Sequence, residues 1–200
     1  MPLVPFDMAG VLRATEECHR LGLARSIGVS NFSSAKMSRL LSFAAVPPAV
    51  NQVELNVAWR QEKLREVCAK NSVVVTAISP LGAFRAAWGS NAVMESGALR
   101  ESPTGEARWL LSPYSYVYLK LKGLELALRW LHEQGFSFVA RSFNMERLKQ
   151  NVELFDWELG EDDKELIMKI PQQRACRGEF FFMSPDGPYK SLEELWDGER

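Results

Sequence analysis

The sequence predicts an α/β protein built on a parallel sheet, and three observations favour that fold class. Short, fully apolar segments alternate with amphipathic segments of helical period, which is typical of βα units. The apolar segments lack the alternation of a half-exposed strand, so we expect them to be buried on both faces of the sheet. Four such units are found in the 200 residues, whereas a closed (β/α)8 barrel takes about 250 residues and eight strands. The expected architecture is half of such a barrel or a small open sheet.

The first half of the chain supplies three of the predicted strands. A helix begins after the N-cap Asp7 and stops at Gly22. The elements that follow are a strand over Ala24–Phe32, a helix after the N-cap candidates Ser33 and Ser34, a strand over Ala49–Leu55, a helix over Arg60–Lys70 and a strand over Ser72–Ser79. Pro47 and Pro48 end the second helix, because proline cannot continue its hydrogen bonding.

The second half supplies the fourth unit and one segment that departs from the βα rhythm. The fourth unit contains a helix over Leu124–Gln134, a strand over Phe136–Phe143 and a helix over Met145–Leu154. Before it, over 100–123, Tyr114, Tyr116 and Tyr118 alternate with other residues. This period of two predicts a strand rather than a helix. Interruptions of this length are typically functional or foreign to the fold.

Composition and charge exclude several classes of partner. The 24 basic and 25 acidic residues nearly cancel, so nothing indicates nucleic acid or an anionic membrane as a partner. No run approaches the ~18 apolar residues of a membrane-spanning helix, and the N-terminus lacks the regions of a secretory signal. Cys18, Cys68 and Cys176 are odd in number and far apart, which favours a reducing compartment over a disulfide framework or a zinc site. We therefore expect a cytoplasmic protein without a metal.

Polar side chains stand at the carboxyl end of every predicted strand, the edge at which parallel α/β folds bind ligands. They are Ser30 and Asn31, then Gln52 and Glu54, then Ser79, and finally Arg141, Ser142 and Asn144. Any single one of them more often marks the start of a loop than a site. Four successive strand ends with short polar groups predict convergence on one polar ligand.

The fourth strand end has the most specific chemistry. Arg141, Ser142, Asn144 and Arg147 flank the start of the following helix. The free N–H groups and the positive dipole end of a helix N-terminus attract anions, and two arginines strengthen that attraction. The segment predicts a phosphate site, and the alternative interpretation is a solvated, charged turn.

Other candidate groups are less specific. His19 and His132 fall within helical patterns, where packing or solvent exposure is more common than metal binding. The aromatic tail over Gly178–Phe182 has two equal interpretations, a cap on an apolar substrate pocket or packing against the side of the fold. No pair of carboxylates can be assigned as acid and base from spacing.

Four motifs resemble the C-terminal part of the aldo-keto reductases. They are GVSNF at 28–32, NQVELN at 51–56, AISPLG at 77–82 and ARSFNMERLKQN at 140–151. The ending, FDWEL at 155–159 and SPDGPYKSLEELWDGE at 184–199, resembles the plant branch of that family, that of the chalcone reductases, codeinone reductases and deoxymugineic acid synthases. The resemblance covers 5–98 and 124–200.

The resemblance implies one incomplete (β/α)8 TIM-barrel domain with the last four βα units and the C-terminal tail. It further implies that NADPH is the cofactor and that a small-molecule carbonyl is reduced. The matches to the residues that hold the nicotinamide carboxamide are Ser30, Asn31 and Gln52. Those beside the nicotinamide ring and the pyrophosphate are Ile78, Ser79 and Leu81. Those that clasp the 2′-phosphate and adenine are Arg141, Ser142, Phe143, Asn144, Arg147, Gln150 and Asn151.

The sequence departs from the family in three ways. The family's catalytic Asp, Tyr, Lys and His lie on the first four strands of its barrel and have no counterpart here, since His19 and His132 fall in helices. Ile78 replaces a tyrosine that stacks on the nicotinamide. The segment 100–123 replaces a shorter helix-forming segment, which suggests an altered gene model or a splice variant.

These departures leave two hypotheses for function. The first is a reductase homologue that is truncated and inactive alone, with no catalytic residue of its own. The second is a non-enzymatic chain that binds cofactor weakly or pairs with a partner. Either chain is expected to self-associate through open sheet edges, because unpaired strand edges template further pairing.

Overall fold

The computed structural model describes residues 7–84, 86–103, 115–179 and 189–199. Within those ranges, strands and helices follow the predicted order, and three short helices are added. In chain order the elements are α1 (Met8–Arg20), β1 (Gly28–Ser30), α2 (Ser34–Leu41), β2 (Val50–Glu54), α3 (Glu62–Lys70), β3 (Val74–Ile78), α4 (Gly97–Arg100), α5 (Ser115–Glu133), β4 (Ser137–Phe138), α6 (Met145–Val152), α7 (Glu161–Met168) and α8 (Leu192–Trp196).

The four strands form one sheet in the order β1-β2-β3-β4. β1 pairs with β2 in parallel, with Ser30 opposite Gln52, and β3 pairs with β4 in parallel, with Thr76 opposite Ser137. Consecutive strands that are also neighbours in a parallel sheet are what successive βα units of a barrel produce. The predicted α/β class is therefore confirmed.

The first and last strands are shorter than the sequence predicts. β1 has three residues and β4 has two, whereas the apolar segments containing them have nine and eight. Both lie at the ends of the strand order, so among the described residues each has a strand partner on one side only. The ladder continues for single bonds beyond them, from Ala49 N to Ile27 O and from Val139 N to Ala77 O.

Two predicted helix starts are confirmed by their caps. The Asp7 carboxylate accepts a hydrogen bond from Gly10 N at 2.9 Å, and the Ser33 hydroxyl accepts one from Lys36 N at 3.1 Å. Gly22, just after α1, has a φ of 72°, a conformation that glycine adopts without steric cost. Local capping chemistry thus sets these boundaries.

The strand predicted from the alternating tyrosines is wrong. Tyr116 and Tyr118 lie within helix α5, and Tyr114 lies outside the described residues. Adding a residue to an existing helix costs far less than nucleating one. The apolar face that buries Leu124, Leu128 and Leu131 supplies that nucleus, and the helix extends from it through residues of neutral propensity.

The chain divides into two compact units. The first comprises Met1–Val53, Gln61–Val75 and Arg177–Arg200, and the second comprises Glu54–Arg60 and Thr76–Cys176. In the first unit, the buried residues Leu12, Ile27 and Leu40 form a cluster against which Val29 and Phe32 pack. In the second, the buried residues Leu124, Leu128 and Leu154 form a cluster that includes Leu81 and Phe138 at its border.

These clusters place each group of site residues beside a packed core. Burying one such side chain contributes roughly 1.5–3 kcal/mol, so the strand ends rest on rigid supports. No helix within the described ranges is both long and apolar enough to cross a bilayer.

Candidate active site

The residues predicted to hold the nicotinamide carboxamide meet at the end of β1. The Ser30 hydroxyl donates to Gln52 O at 2.9 Å, and Asn31 N donates to the same carbonyl at 3.0 Å. One residue further on, Asn51 Nδ2 donates to Phe32 O at 3.0 Å. The turn after β1 is therefore tied to β2 at three points.

The side-chain amides of this group are available to a ligand. Asn31 is exposed and Gln52 is half-buried, and neither uses its amide in a hydrogen bond to the described part of the chain. Each amide offers both donors and an acceptor, the set that a carboxamide needs. The predicted role fits the geometry of the first unit.

Two of the predicted cofactor residues have a left-handed backbone. Asn31 has a φ of 59° at the end of β1, and Ser79 has a φ of 52° at the end of β3. Asparagine tolerates this region, but for serine it costs roughly 1 kcal/mol. Such strain concentrates at functional sites, where the surrounding structure holds it in place.

The end of β3 forms a tight turn. Gly82 N donates to Ser79 O at 2.9 Å, and Leu55 N donates to Ile78 O at 3.3 Å. Asn56 Nδ2 also donates to Ser79 O at 3.3 Å. Leu81, in contrast, packs against the Leu124 cluster of the second unit. Ile78 and Ser79 are half-buried and can face a ligand, while Leu81 also serves the core.

The end of β4 leads into the N-terminus of α6. The Asn144 side chain caps the helix, accepting from Arg147 N at 3.0 Å, and the Ser142 hydroxyl accepts from Asn144 N at 3.2 Å. The short polar residues thus shape the helix start. Arg141 and Arg147 are exposed, and the Arg141 guanidinium lies 5.3 Å from the ring centre of Phe143.

The second turn of α6 carries two buried acceptors. Gln150 is 4% exposed, and neither its Oε1 nor the Oδ1 of Asn151 has a hydrogen-bond partner within the part of the chain that the structure describes. Buried polar atoms without protein partners are uncommon, and a bound ligand or water can satisfy them. Arg147 precedes them by three and four positions, so all three residues lie on neighbouring sites of the helix surface. The amino group of an adenine can donate hydrogen bonds to these oxygens, and the neighbouring Arg147 guanidinium can bind a phosphate.

One polar strand-end residue predicted to face the ligand does something else. Glu54 is 2% exposed, and its carboxylate accepts from Ala175 N at 3.0 Å and from Cys176 N at 2.8 Å. It holds the segment that follows α7, an interaction 121 residues away in sequence. Nearby, the Arg174 guanidinium lies 4.7 Å from the ring centre of Trp59, which fixes the same segment.

The two histidines lie away from the strand ends, as predicted. His19 is within α1 with its Nδ1 3.1 Å from Ala24 O, and His132 is within α5 with its ring 5.0 Å from that of Phe155. Across the described ranges, no group of three or more His, Cys, Asp or Glu is placed to hold a metal. Of the aromatic tail, Phe180–Phe182 lie outside those ranges.

The docking of the C-terminal residues on α2 could not be predicted from local sequence patterns. The carboxylates of Asp197 and Glu199 bind Ser33 and Ser34, at the start of the helix that follows β1. These contacts join residues more than 160 positions apart. Local periodicity carries no information about such pairs. The sequence does show the acidic residues Asp197 and Glu199 and the two serines at the start of α2, but not that they meet.

Comparison with known families matches residues 2–171 to the Aldo/keto reductase family. Deoxymugineic acid synthase 1 of Zea mays is 47% identical over 195 residues, which cover 98% of this chain and 58% of the maize protein. Protein REDOX 2 of Catharanthus roseus is 45% identical over 196 residues, covering 98% of this chain and 56% of that protein. The predicted resemblance to the plant branch is confirmed.

Solved structures of this family also match the fold of the chain. Aldose reductase from Giardia lamblia has a TM-score of 0.74 at 26% identity, covering 92% of this chain and 58% of that one. An aldo-keto reductase of Bombyx mori in complex with NADP has a TM-score of 0.70 at 28% identity, covering 93% and 58%. The chain spans somewhat more than half the length of the relatives it matches. Because the family match covers most of the sequence and the fold is shared, the chain belongs to the aldo/keto reductase family.

Proposed function

We propose that this chain provides the cofactor-binding part of a cytoplasmic, NADPH-dependent carbonyl reductase. The observation that carries the proposal is a pair of buried acceptors on Gln150 and Asn151, unpaired within the described residues, beside the exposed guanidinium of Arg147. A related structure with NADP bound supports the choice of cofactor. Bound NADPH would supply the hydride that a carbonyl carbon accepts.

Each group of residues has a separate task in holding that cofactor. Asn31 and Gln52 offer free amides to the nicotinamide carboxamide, and Ser79 stands at the strained turn assigned to the pyrophosphate. Arg141 and Arg147 offer charge to the 2′-phosphate. Since NADH lacks that phosphate, the two arginines would set a preference for NADPH.

The test is a titration of the Arg147→Ala variant with both cofactors. A charge-assisted hydrogen bond contributes about 1.5–3 kcal/mol, so we expect NADPH binding to weaken at least about tenfold while NADH binding changes little. Lys149→Ala is the matched control, because Lys149 is an exposed cation of the same helix, paired with Glu153 at 3.8 Å. Equal losses for the two cofactors would refute the phosphate site.

The same residues give no means of activating a substrate. Reduction needs a group that polarises the carbonyl oxygen and protonates the alkoxide, and general acid catalysis of this kind is worth about 10²–10⁴-fold. Of the tyrosines within the described ranges, Tyr116 and Tyr118 lie in α5. The ring centre of Tyr189 lies 5.4 Å from Lys36 Nζ. We therefore infer that the chain alone binds cofactor without turnover.

A second candidate function, pairing with another polypeptide, is favoured by one surface. Two apolar side chains of α6 face solvent seven positions apart, since Met145 is 78% exposed and Val152 is 64% exposed. Phe155, just after the helix, is 60% exposed. Exposed apolar side chains that share one helix face are typical of interaction sites. Under this alternative, association rather than catalysis is the chain's activity.

A further inference from the structure

The C-terminal residues dock on the start of α2. The Asp197 carboxylate accepts from the Ser33 hydroxyl and from Lys36 Nζ, both at 2.5 Å. The Glu199 carboxylate accepts from Ser34 N at 2.9 Å and also from the Ser34 hydroxyl. Two acidic side chains thus satisfy donors at the positive end of a helix, where negative charge is stabilised.

This docking is built into the local fold. Leu195 and Trp196 of α8 are buried, and Trp196 Nε1 donates to Arg177 O at 2.7 Å. Asp197 has a φ of 53°, which turns the chain directly after the helix. Lys36 Nζ also donates to Leu195 O at 2.7 Å. The two carboxylates are therefore held against α2 by a packed helix and not by a loose end.

The helix that they bind continues directly from the candidate site. Ser33 and Ser34 follow Asn31 by two and three positions, and Asn31 has a left-handed backbone. On its other side, this turn is bonded to β2 through Ser30 and Asn31, which share the carbonyl of Gln52. The turn over 30–34 is therefore clamped between β2 and the C-terminal tail, within one compact unit.

We propose that Asp197 and Glu199 are positioning residues that hold the 30–34 turn so that Asn31 presents its amide to the nicotinamide carboxamide. The inference rests on the proposed function, because it concerns the affinity of that site for the cofactor. Residues that only stabilised the fold would affect binding of the whole cofactor, whereas these positioning residues affect binding of its nicotinamide end alone.

The first test compares NADPH with 2′-phospho-ADP-ribose, a fragment that keeps the adenine end and lacks nicotinamide. Glu199→Ala removes the acceptor for Ser34, and we expect NADPH binding to weaken about tenfold, the scale of one charge-assisted hydrogen bond, with fragment binding unchanged. Glu199→Gln keeps an acceptor oxygen and should recover much of the loss. Glu165→Ala, at an exposed acidic residue of α7, is the matched control and should bind both like the unaltered chain.

Three outcomes overturn the inference. Equal weakening of NADPH binding and fragment binding would indicate general destabilisation. Unchanged binding of both would show that Glu199 does not influence the nicotinamide site. The third is an unaltered chain that binds NADPH no more tightly than the fragment, which would mean that the turn gives the nicotinamide no affinity.

A second measurement separates this inference from the proposed function. Amide hydrogen exchange of the 30–34 turn needs no cofactor. In Glu199→Ala we expect faster exchange at Ser34 N, which loses its acceptor, and also at Asn31 N, which is bonded to Gln52 O at 3.0 Å. If no cofactor binds at all, the proposed function fails, and exchange at Asn31 then decides the positioning role. Faster exchange at Ser34 alone would show a local cap and overturn it.

Discussion

Cys68 is a residue whose chemistry is set by packing. It lies on α3 with no exposed surface, and burial raises the pKa of its thiol to about 11. Near neutral pH the thiol stays protonated, and only the thiolate is reactive. Cys18 is exposed on α1. We expect a thiol reagent at pH 8 to modify Cys18 and spare Cys68, which mass spectrometry of the labelled chain would show; labelling of Cys68 in the folded chain would contradict this.

The same shift predicts a loss of stability in alkali. The unfolded thiol ionises near its ordinary pKa of 9.0, while the folded thiol stays protonated up to about pH 11. Between those values the folded state binds more protons, so the free energy of unfolding falls as pH rises, by about 3 kcal/mol in total. Cys68→Ala should be less stable at neutral pH but show a shallower alkaline decline in denaturant titrations. Parallel declines in the two proteins would refute the assignment.

The site residues that the sequence predicted are those with local signatures. Ser30, Asn31 and Gln52 stand at strand ends and do meet, because parallel strands bring their carboxyl ends to one edge. Glu54 looked equivalent, yet it binds the backbone at Ala175. Whether a strand-end carboxylate faces a ligand or another segment depends on contacts across 121 residues, which no local pattern encodes.

At the scale of elements, local sequence predicts the helix caps correctly but not the lengths of the strands. The predicted caps of α1 and α2 are confirmed because side chain and amide lie three residues apart. The lengths of β1 and β4 differ from prediction because a strand also requires a partner on the neighbouring chain segment. The strand predicted over the tyrosines is helical because propagation from the buried part of α5 outweighs a short alternation.

The exposed apolar surface of α6 carries a prediction about association. Met145 and Val152 present their side chains to solvent, and burying such a side chain is favourable by roughly 1.5–3 kcal/mol. We expect concentration-dependent association of the chain in sedimentation, reduced in the variant with Met145→Lys and Val152→Lys. Lys149→Ala on the same helix should leave association unchanged. A strictly monomeric chain at high concentration would exclude a role for this surface.

At the scale of the whole molecule, each compact unit carries its own group of candidate cofactor residues. Asn31 and Gln52 belong to the first unit, and Arg141, Arg147 and Gln150 belong to the second. Each group rests on its own buried cluster.

The most direct test of this account follows the fluorescence of NADPH added to the purified chain, in the presence of a panel of aldehydes and ketones. Binding changes the emission and turnover removes it, so a single titration reports both. We expect saturable binding, tighter for NADPH than for NADH, and no loss of signal with any carbonyl compound. No saturable binding, equal affinity for the two cofactors, or steady consumption of NADPH would contradict it.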